Sequence, residues 1–276
     1  MPLLRRFRTF TWAPFLALLL PTIALASSLN RIDDWAEARG WEGVGLLAIG
    51  RNATCSAALI RPDLVLTAAH CLYDQSGQLI APTTVEFLAA WRDGQAISRR
   101  TGRRALVHSG YNPSSRPTDA NIYRDLALLQ LDMPVDGATA APFALGNAPA
   151  EGSDISVVSY GAGRNDAASL EPQCQLRERY GGVFAMTCSV VPGSSGAPVF
   201  VHRHGKPVIF SVISALGHDG TAYGMDMSDH INDLLRDFDA GRGVYPAAVQ
   251  TTRRIKIGQT AGTRKSSSGG ALFLKP

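Results

Sequence analysis

Pro192-Gly193-Ser194-Ser195-Gly196-Ala197-Pro198-Val199 is a glycine-rich turn wrapped around a serine and running straight into an apolar strand. Glycine at 193 and 196 lets the backbone enter conformations in which successive N–H groups converge on one point, the arrangement an oxyanion needs. A plain tight turn has the same Gly-Ser composition. The stretch therefore takes its meaning from what it meets elsewhere in the chain.

Two upstream segments offer partners. Asp125-Leu126-Ala127-Leu128-Leu129-Gln130-Leu131 sets a carboxylate at the mouth of an almost wholly apolar strand, where burial is costly unless the acid is hydrogen-bonded. An imidazole N–H would satisfy it and fix the tautomer that leaves the other ring nitrogen free as a base. The plainer reading is that Asp125 starts its strand from a solvated turn, as Asp119 or Asp132 would. Leu66-Thr67-Ala68-Ala69-His70-Cys71 leads a strand into small residues that let another chain approach the His70 ring; alone, such a histidine is more often structural than catalytic. The esterase elbow G-x-S-x-G is not matched, since Ala197 holds its final glycine position and its order, Ser, Asp, His, is the reverse of this one.

Around these segments the chain reads as strands. Residues 44–49, 55–60, 64–66, 85–89, 105–108, 126–131, 155–160, 183–187, 197–201 and 208–213 are short apolar or alternating runs punctuated by Gly, Pro, Asn and Asp. Many short strands with almost no helical periodicity predict an all-β fold of antiparallel barrels or a sandwich. One helix is expected last: Ser228 can cap it, and Ile231, Leu234, Leu235 and Phe238 recur at helical spacing. With 276 residues, 45% of them hydrophobic and 18% charged, the composition is globular and excludes disordered, collagen-like and multi-span membrane classes.

The two ends differ from the middle. Arg5, Arg6 and Arg8, the apolar run 12–20 and Ala24-Leu25-Ala26 read as a secretory signal peptide over residues 1–26, too short in its core to span a bilayer. Residues 246–276 carry six basic side chains and no acid, and read as a disordered tail with a potential for contact with an anionic surface. Between these ends 18 Lys and Arg stand against 23 Asp and Glu, about −5, which argues against a nucleic-acid-binding body. Export to a secreted or periplasmic location makes two disulfides the default for Cys55, Cys71, Cys174 and Cys188. Three pairings are open; the sequence-local one closes two loops of about 15 residues, each worth about 3 kcal/mol in the chain-entropy model. No metal site is expected, because there is no C-x-x-C and the histidines are not spaced as ligands. Asn52-Ala53-Thr54 matches a glycosylation acceptor, for which chance is the better explanation.

T-A-A-H-C (67–71), D-L-A-L-L (125–129), G-S-S-G-A-P (193–198) and V-I-S-A (212–215), in that order, resemble the chymotrypsin-fold serine peptidases. The resemblance covers about residues 40–240 and is nearest the secreted bacterial branch that includes the glutamyl endopeptidases. It implies two six-stranded antiparallel barrels and a C-terminal helix, divided into residues 27–140 and 141–245 with a boundary between Pro134 and Pro142. It also implies His70 as general base, Asp125 as its orienting partner, Ser195 as nucleophile, the N–H groups of Gly193 and Ser195 as oxyanion hole, and Ser214 beside the acid. Peptide or protein is the implied substrate, with no cofactor.

Two departures from that family stand out. Animal-type members carry an acid before the nucleophile that pairs with a newly cut N-terminus; Ser194 stands there, so cleavage at Arg31-Ile32, which looks like a cleavable bond, is not expected to switch activity on. Ser189, six residues before Ser195, falls at the base of the primary pocket, and Ala215 and Leu216 fall where an aromatic and a glycine are usual. A neutral base predicts a small or apolar preference rather than Lys or Arg, and Ile213 in place of the glutamyl branch's histidine argues against Glu. Rival readings are a catalytically silent peptidase-like binding protein and a cell-wall factor held through the tail.

Overall fold

The computed structural model describes residues 29–50, 53–228 and 230–246, with backbone alone at Pro246. The expected signal peptide, the acceptor Asn52 and the basic tail beyond Pro246 lie outside the described residues. After β1 (Asn30–Arg31) come β2 (Val44–Ile49), β3 (Ala53–Arg61), β4 (Leu64–Thr67), β5 (Val85–Ala89) and β6 (Ser98–Val107), then a one-turn helix α1 (Asp119–Ile122) and β7 (Ala127–Leu131). β8 (Ala144–Leu145) leads into β9 (Asp154–Ser159), β10 (Ser169–Tyr180), β11 (Val183–Met186), β12 (Pro198–Arg203), β13 (Lys206–Leu216) and β14 (Ala222–Met225). Helix α2 (Ile231–Asp239) and β15 (Tyr245–Pro246) complete the described chain.

The pairings close two six-stranded antiparallel barrels. One runs β6-β5-β2-β3-β4-β7 and returns to β6; the other runs β10-β11-β14-β13-β12-β9 and returns to β10. The expected all-β fold with one helix near the C-terminus is what forms. Alternating side chains explain why so many strands read as unbroken apolar runs, since both faces of these strands are buried. Leu47, Leu59, Val65 and Leu129 fill the first barrel. Their neighbours Leu46, Leu64, Leu66 and Leu128 point the other way and pack with Val158, Phe200 and Val212 of the second barrel. The second barrel has its own core around Val157, Leu176, Phe184 and Phe210.

Three features differ from the sequence reading. β10, the polar first half of β6 and β14 carry no strand signal in the sequence; β10 has Pro172, a register break between Glu171 and Cys174, and a largely exposed outer face, so no apolar run announces it. The chain ends trade sides: β1 pairs with β10 of the second barrel, while β15, including the Pro246 assigned to the tail, pairs with β6 of the first. Ser228 does not cap α2. His230 holds that position without a side-chain cap bond, and the Ser228 hydroxyl donates instead to Asp226 at 2.6 Å. Ile231, Leu234 and Phe238 are buried against the inter-barrel core as the spacing predicts, with Leu235 partly buried beside them.

The disulfides take the sequence-local pairing, Cys55–Cys71 and Cys174–Cys188, with partners 16 and 14 positions apart. Each staples a strand to a segment that leads into the cleft. Among the described residues no helix is long and apolar enough to cross a membrane.

Candidate active site

β4 delivers His70 to the cleft. Its apolar residues end at Thr67, the fully buried Ala68 and Ala69 leave no bulk between the chain and its neighbours, and a short 3₁₀ turn over Ala69–Leu72 presents the ring. Asp125 enters from the other side, between α1 and β7, and only 3% of its surface is exposed. A carboxylate so placed must be satisfied internally. Oδ1 accepts the His70 backbone N–H at 2.9 Å. Oδ2 lies 2.7 Å from His70 Nδ1 and accepts the Ser214 hydroxyl at 2.5 Å. With Nδ1 donating, Nε2 is the unprotonated ring nitrogen. Burial works against the imidazolium, but the Asp125 charge and hydrogen bond outweigh it and raise the His70 pKa above the ordinary 6.5.

The serine turn is fixed from three directions. Ser56 N–H donates to the Ser195 carbonyl at 2.8 Å, and the Ser56 hydroxyl donates to the Gly193 carbonyl at 3.1 Å. Ala162 N–H holds the Pro192 carbonyl at 2.7 Å. In a trans peptide C=O and N–H point in opposite directions, so the Gly193 N–H faces away from that loop. Among the described residues neither this N–H nor that of Ser195 has an acceptor. Gly193, Ser195 and His70 line one groove of about 820 Å³.

Gly196 is where the two halves of the site touch. Its φ is +76°, and a Cβ there would collide with the Thr67 hydroxyl and the Ser56 carbonyl and lie 3.0 Å from the Ala68 nitrogen. Only glycine lets the serine turn sit against the strand that carries His70. Gly196→Ala is expected to destabilise the protein by about 2–4 kcal/mol, combining backbone strain and overpacking. Thermal unfolding measures it; an unchanged midpoint would contradict the close approach.

A family model described as trypsin-like peptidase domain matches residues 55–208, a stretch that includes His70, Asp125 and Ser195. The chain belongs to the trypsin-like peptidase family. Relatives of this peptidase domain include human serine protease 56, 30% identical over 141 residues (50% of this chain, 22% of that protein). Serine protease SP24D of Anopheles gambiae is 27% identical over 213 residues, covering 68% of this chain and 74% of that one. The chain spans less than a quarter of the length of the first three curated relatives it matches. A solved Glu endopeptidase superposes with a TM-score of 0.65 at 17% identity over 78% of this chain and 97% of that one, a likeness of fold alone.

Within this trypsin-like domain the expected pocket residues are reached from the cleft in different degrees. Ala215 and Leu216 line a cavity of about 230 Å³ with His70, Tyr111, Asp125 and Ser214. Ser189 is exposed, but it does not stand alone. Glu171, on β10 and 2% exposed, accepts the Ser189 N–H at 2.6 Å and the Ser189 hydroxyl at 3.3 Å. A buried acid thus stands directly behind Ser189. The signal was present only as alternation: Glu171 shares the inward face of its strand with buried Ser169.

The Arg31-Ile32 bond, cleavable by its sequence, is built into the fold. Arg31 pairs with Ser169 in β1, its guanidinium bridges to Asp33, Asp93 and Asp166, and Ile32, 7% exposed, donates its N–H to Ala168. Among the described residues, the two clusters in which three potential metal ligands meet, Cys55–His70–Cys71 and Glu171–Cys174–Cys188, each have both cysteines spent in a disulfide, so neither offers a thiolate.

Proposed function

We propose that this protein is a serine endopeptidase acting outside the cytoplasm, cleaving peptide bonds through Ser195, His70 and Asp125 and an acyl-enzyme. The supporting observation is the double grip of Asp125 on His70, through backbone N–H and Nδ1, which leaves Nε2 as the base in a groove shared with Ser195. Ser195 Oγ attacks the scissile carbonyl carbon while its proton passes to Nε2. The resulting imidazolium is stabilised by Asp125, and the oxyanion is received by the Gly193 and Ser195 N–H groups. The C–N bond then breaks as Nε2 returns the proton to the leaving amine, and water repeats the sequence on the ester at Ser195. Ser214 donates to the same carboxylate oxygen, Oδ2, that faces Nδ1. Two disulfides support an oxidising, exported setting.

A fluorophosphonate probe tests the reading. Labelling of folded protein that disappears in Ser195→Ala supports a peptidase; folded protein that never labels is a silent binding protein instead.

The raised His70 pKa sets the pH dependence. Catalysis needs neutral imidazole, so kcat/KM is expected to rise with pH and reach half its plateau above the ordinary imidazole value of about 6.5. A profile flat from about pH 5 to 9 would exclude His70 as base. Stability runs the other way. The His70–Asp125 contribution is fully present below the ordinary imidazole pKa and is lost as pH rises through the raised one.

A further inference from the structure

Ser194, directly before the nucleophile, is fully buried and its hydroxyl has partners on all sides. It donates to the Tyr160 carbonyl at 3.1 Å and accepts the Val191 N–H at 3.2 Å. It also accepts from Arg164 Nη2 at 3.0 Å. The same guanidinium donates to the Ser159 hydroxyl at 3.0 Å and the Ser159 carbonyl at 2.7 Å. A planar fork reaching three acceptors is what arginine supplies and lysine cannot. Burial lowers the Arg164 pKa and Glu171 acts in the opposite sense. That acid grips Ser189, so the segment leading to Ser195 is held by Glu171 at one end and by Arg164 at the other.

The segment that carries Arg164 also sets the oxyanion turn. Ala162, two residues earlier in the connection from β9 to β10, holds the Pro192 carbonyl and thereby orients the Gly193 N–H. The connection is clamped to the first barrel: Trp91 Nε1 donates to the Asn165 carbonyl at 3.0 Å, Asn165 Nδ2 donates to Thr54 Oγ1 at 3.1 Å, and Asp93 N–H donates to the Asp166 carbonyl at 2.6 Å. Every anchor comes from inside the folded chain, while the Ile32 nitrogen is occupied at Ala168.

We propose that Arg164 is the positioning residue that keeps the Gly193–Ser195 turn in its oxyanion-binding form, so that the protein is competent with the Arg31–Ile32 bond intact and needs no freed N-terminal amine. The proposal rests on Ser195 acting as nucleophile. Losing Arg164 leaves the Ser194 hydroxyl and the Ser159 carbonyl short of a donor and frees the turn to rotate its N–H groups out of line. The penalty falls on the transition state, whose oxyanion needs those donors, and hardly on the bound substrate.

The experiment compares full-length wild type, Arg31→Gln, Arg164→Ala, Arg164→Lys and Arg164→Gln in hydrolysis of a p-nitrophenyl acyl ester, with kcat and KM separated and the intact Arg31–Ile32 bond verified by mass spectrometry. Arg31→Gln should match wild type. Arg164→Ala should lose on the order of 10²-fold in kcat, the scale of one misplaced oxyanion donor, with KM within a factor of about three. Lysine should restore part of the loss. The proposal is overturned if Arg164→Ala keeps its kcat, or if Arg31→Gln is inert until a chain beginning at Ile32 is produced. If Arg164→Ala does not fold, Arg164→Gln, which keeps the stem, carries the test; failure of both to fold would make Arg164 a residue of stability and also overturn it. Fluorophosphonate labelling of wild type separates these outcomes from failure of the peptidase reading, under which wild type itself would neither label nor turn over.

Discussion

Ser195→Ala is expected to lower kcat by about 10⁶-fold, and adding His70→Ala to it should cost almost nothing more, because a nucleophile and its base act as one unit. The base matters only while there is a hydroxyl proton to remove. Once Oγ is gone, residual turnover must come from water positioned in a groove whose Gly193 and Ser195 donors remain. Single-turnover kinetics with enzyme in excess on both variants measures the two losses. Multiplying losses, with the double variant far below either single one, would mean that Ser195 and His70 serve separate steps. Neither change should unfold the protein, since both side chains are partly exposed to the groove and neither belongs to a hydrophobic core.

Asp125→Asn should cost about 10⁴-fold in kcat near neutral pH, the size seen when such a change traps the wrong tautomer. The hydrogen bonds dictate the direction. The His70 backbone N–H can only donate, so the amide oxygen of an asparagine must take the place of Oδ1. Its NH₂ then occupies the position of Oδ2 and meets Nδ1 and the Ser214 hydroxyl. Two donors cannot face each other, so the ring moves its proton to Nε2 and has no lone pair for Ser195. A variant with near-normal kcat would show that Asp125 does not choose the tautomer. The tautomer itself is visible in the nitrogen shifts of the imidazole.

Strands buried on both faces were plain in the sequence for a physical reason. Leu46 and Leu47, or Leu128 and Leu129, serve two different cores, so no polar residue interrupts them. β10 was hidden by the converse, an exposed outer face, a proline and a register break. Of the site, the residue types carried by short motifs were legible: the small residues before His70, the acid before an apolar strand and the glycines about Ser195. Ser56, Glu171 and Arg164 were not. Each acts on a segment far away in sequence, Ser56 on a turn 137 residues later in the chain, and a serine in an alternating strand, an acid in a polar one or an arginine in a loop carries no local sign of such a contact. The crossing of the chain ends was invisible for the same reason, since β1 and β15 are two residues each and take their shape from the strand they join.

That crossing laces the barrels together. Each body lends a terminal ribbon to the edge of the other, so separating them strips a strand from both at once. Heat or denaturant should find a single cooperative unit, with no half surviving the loss of the other.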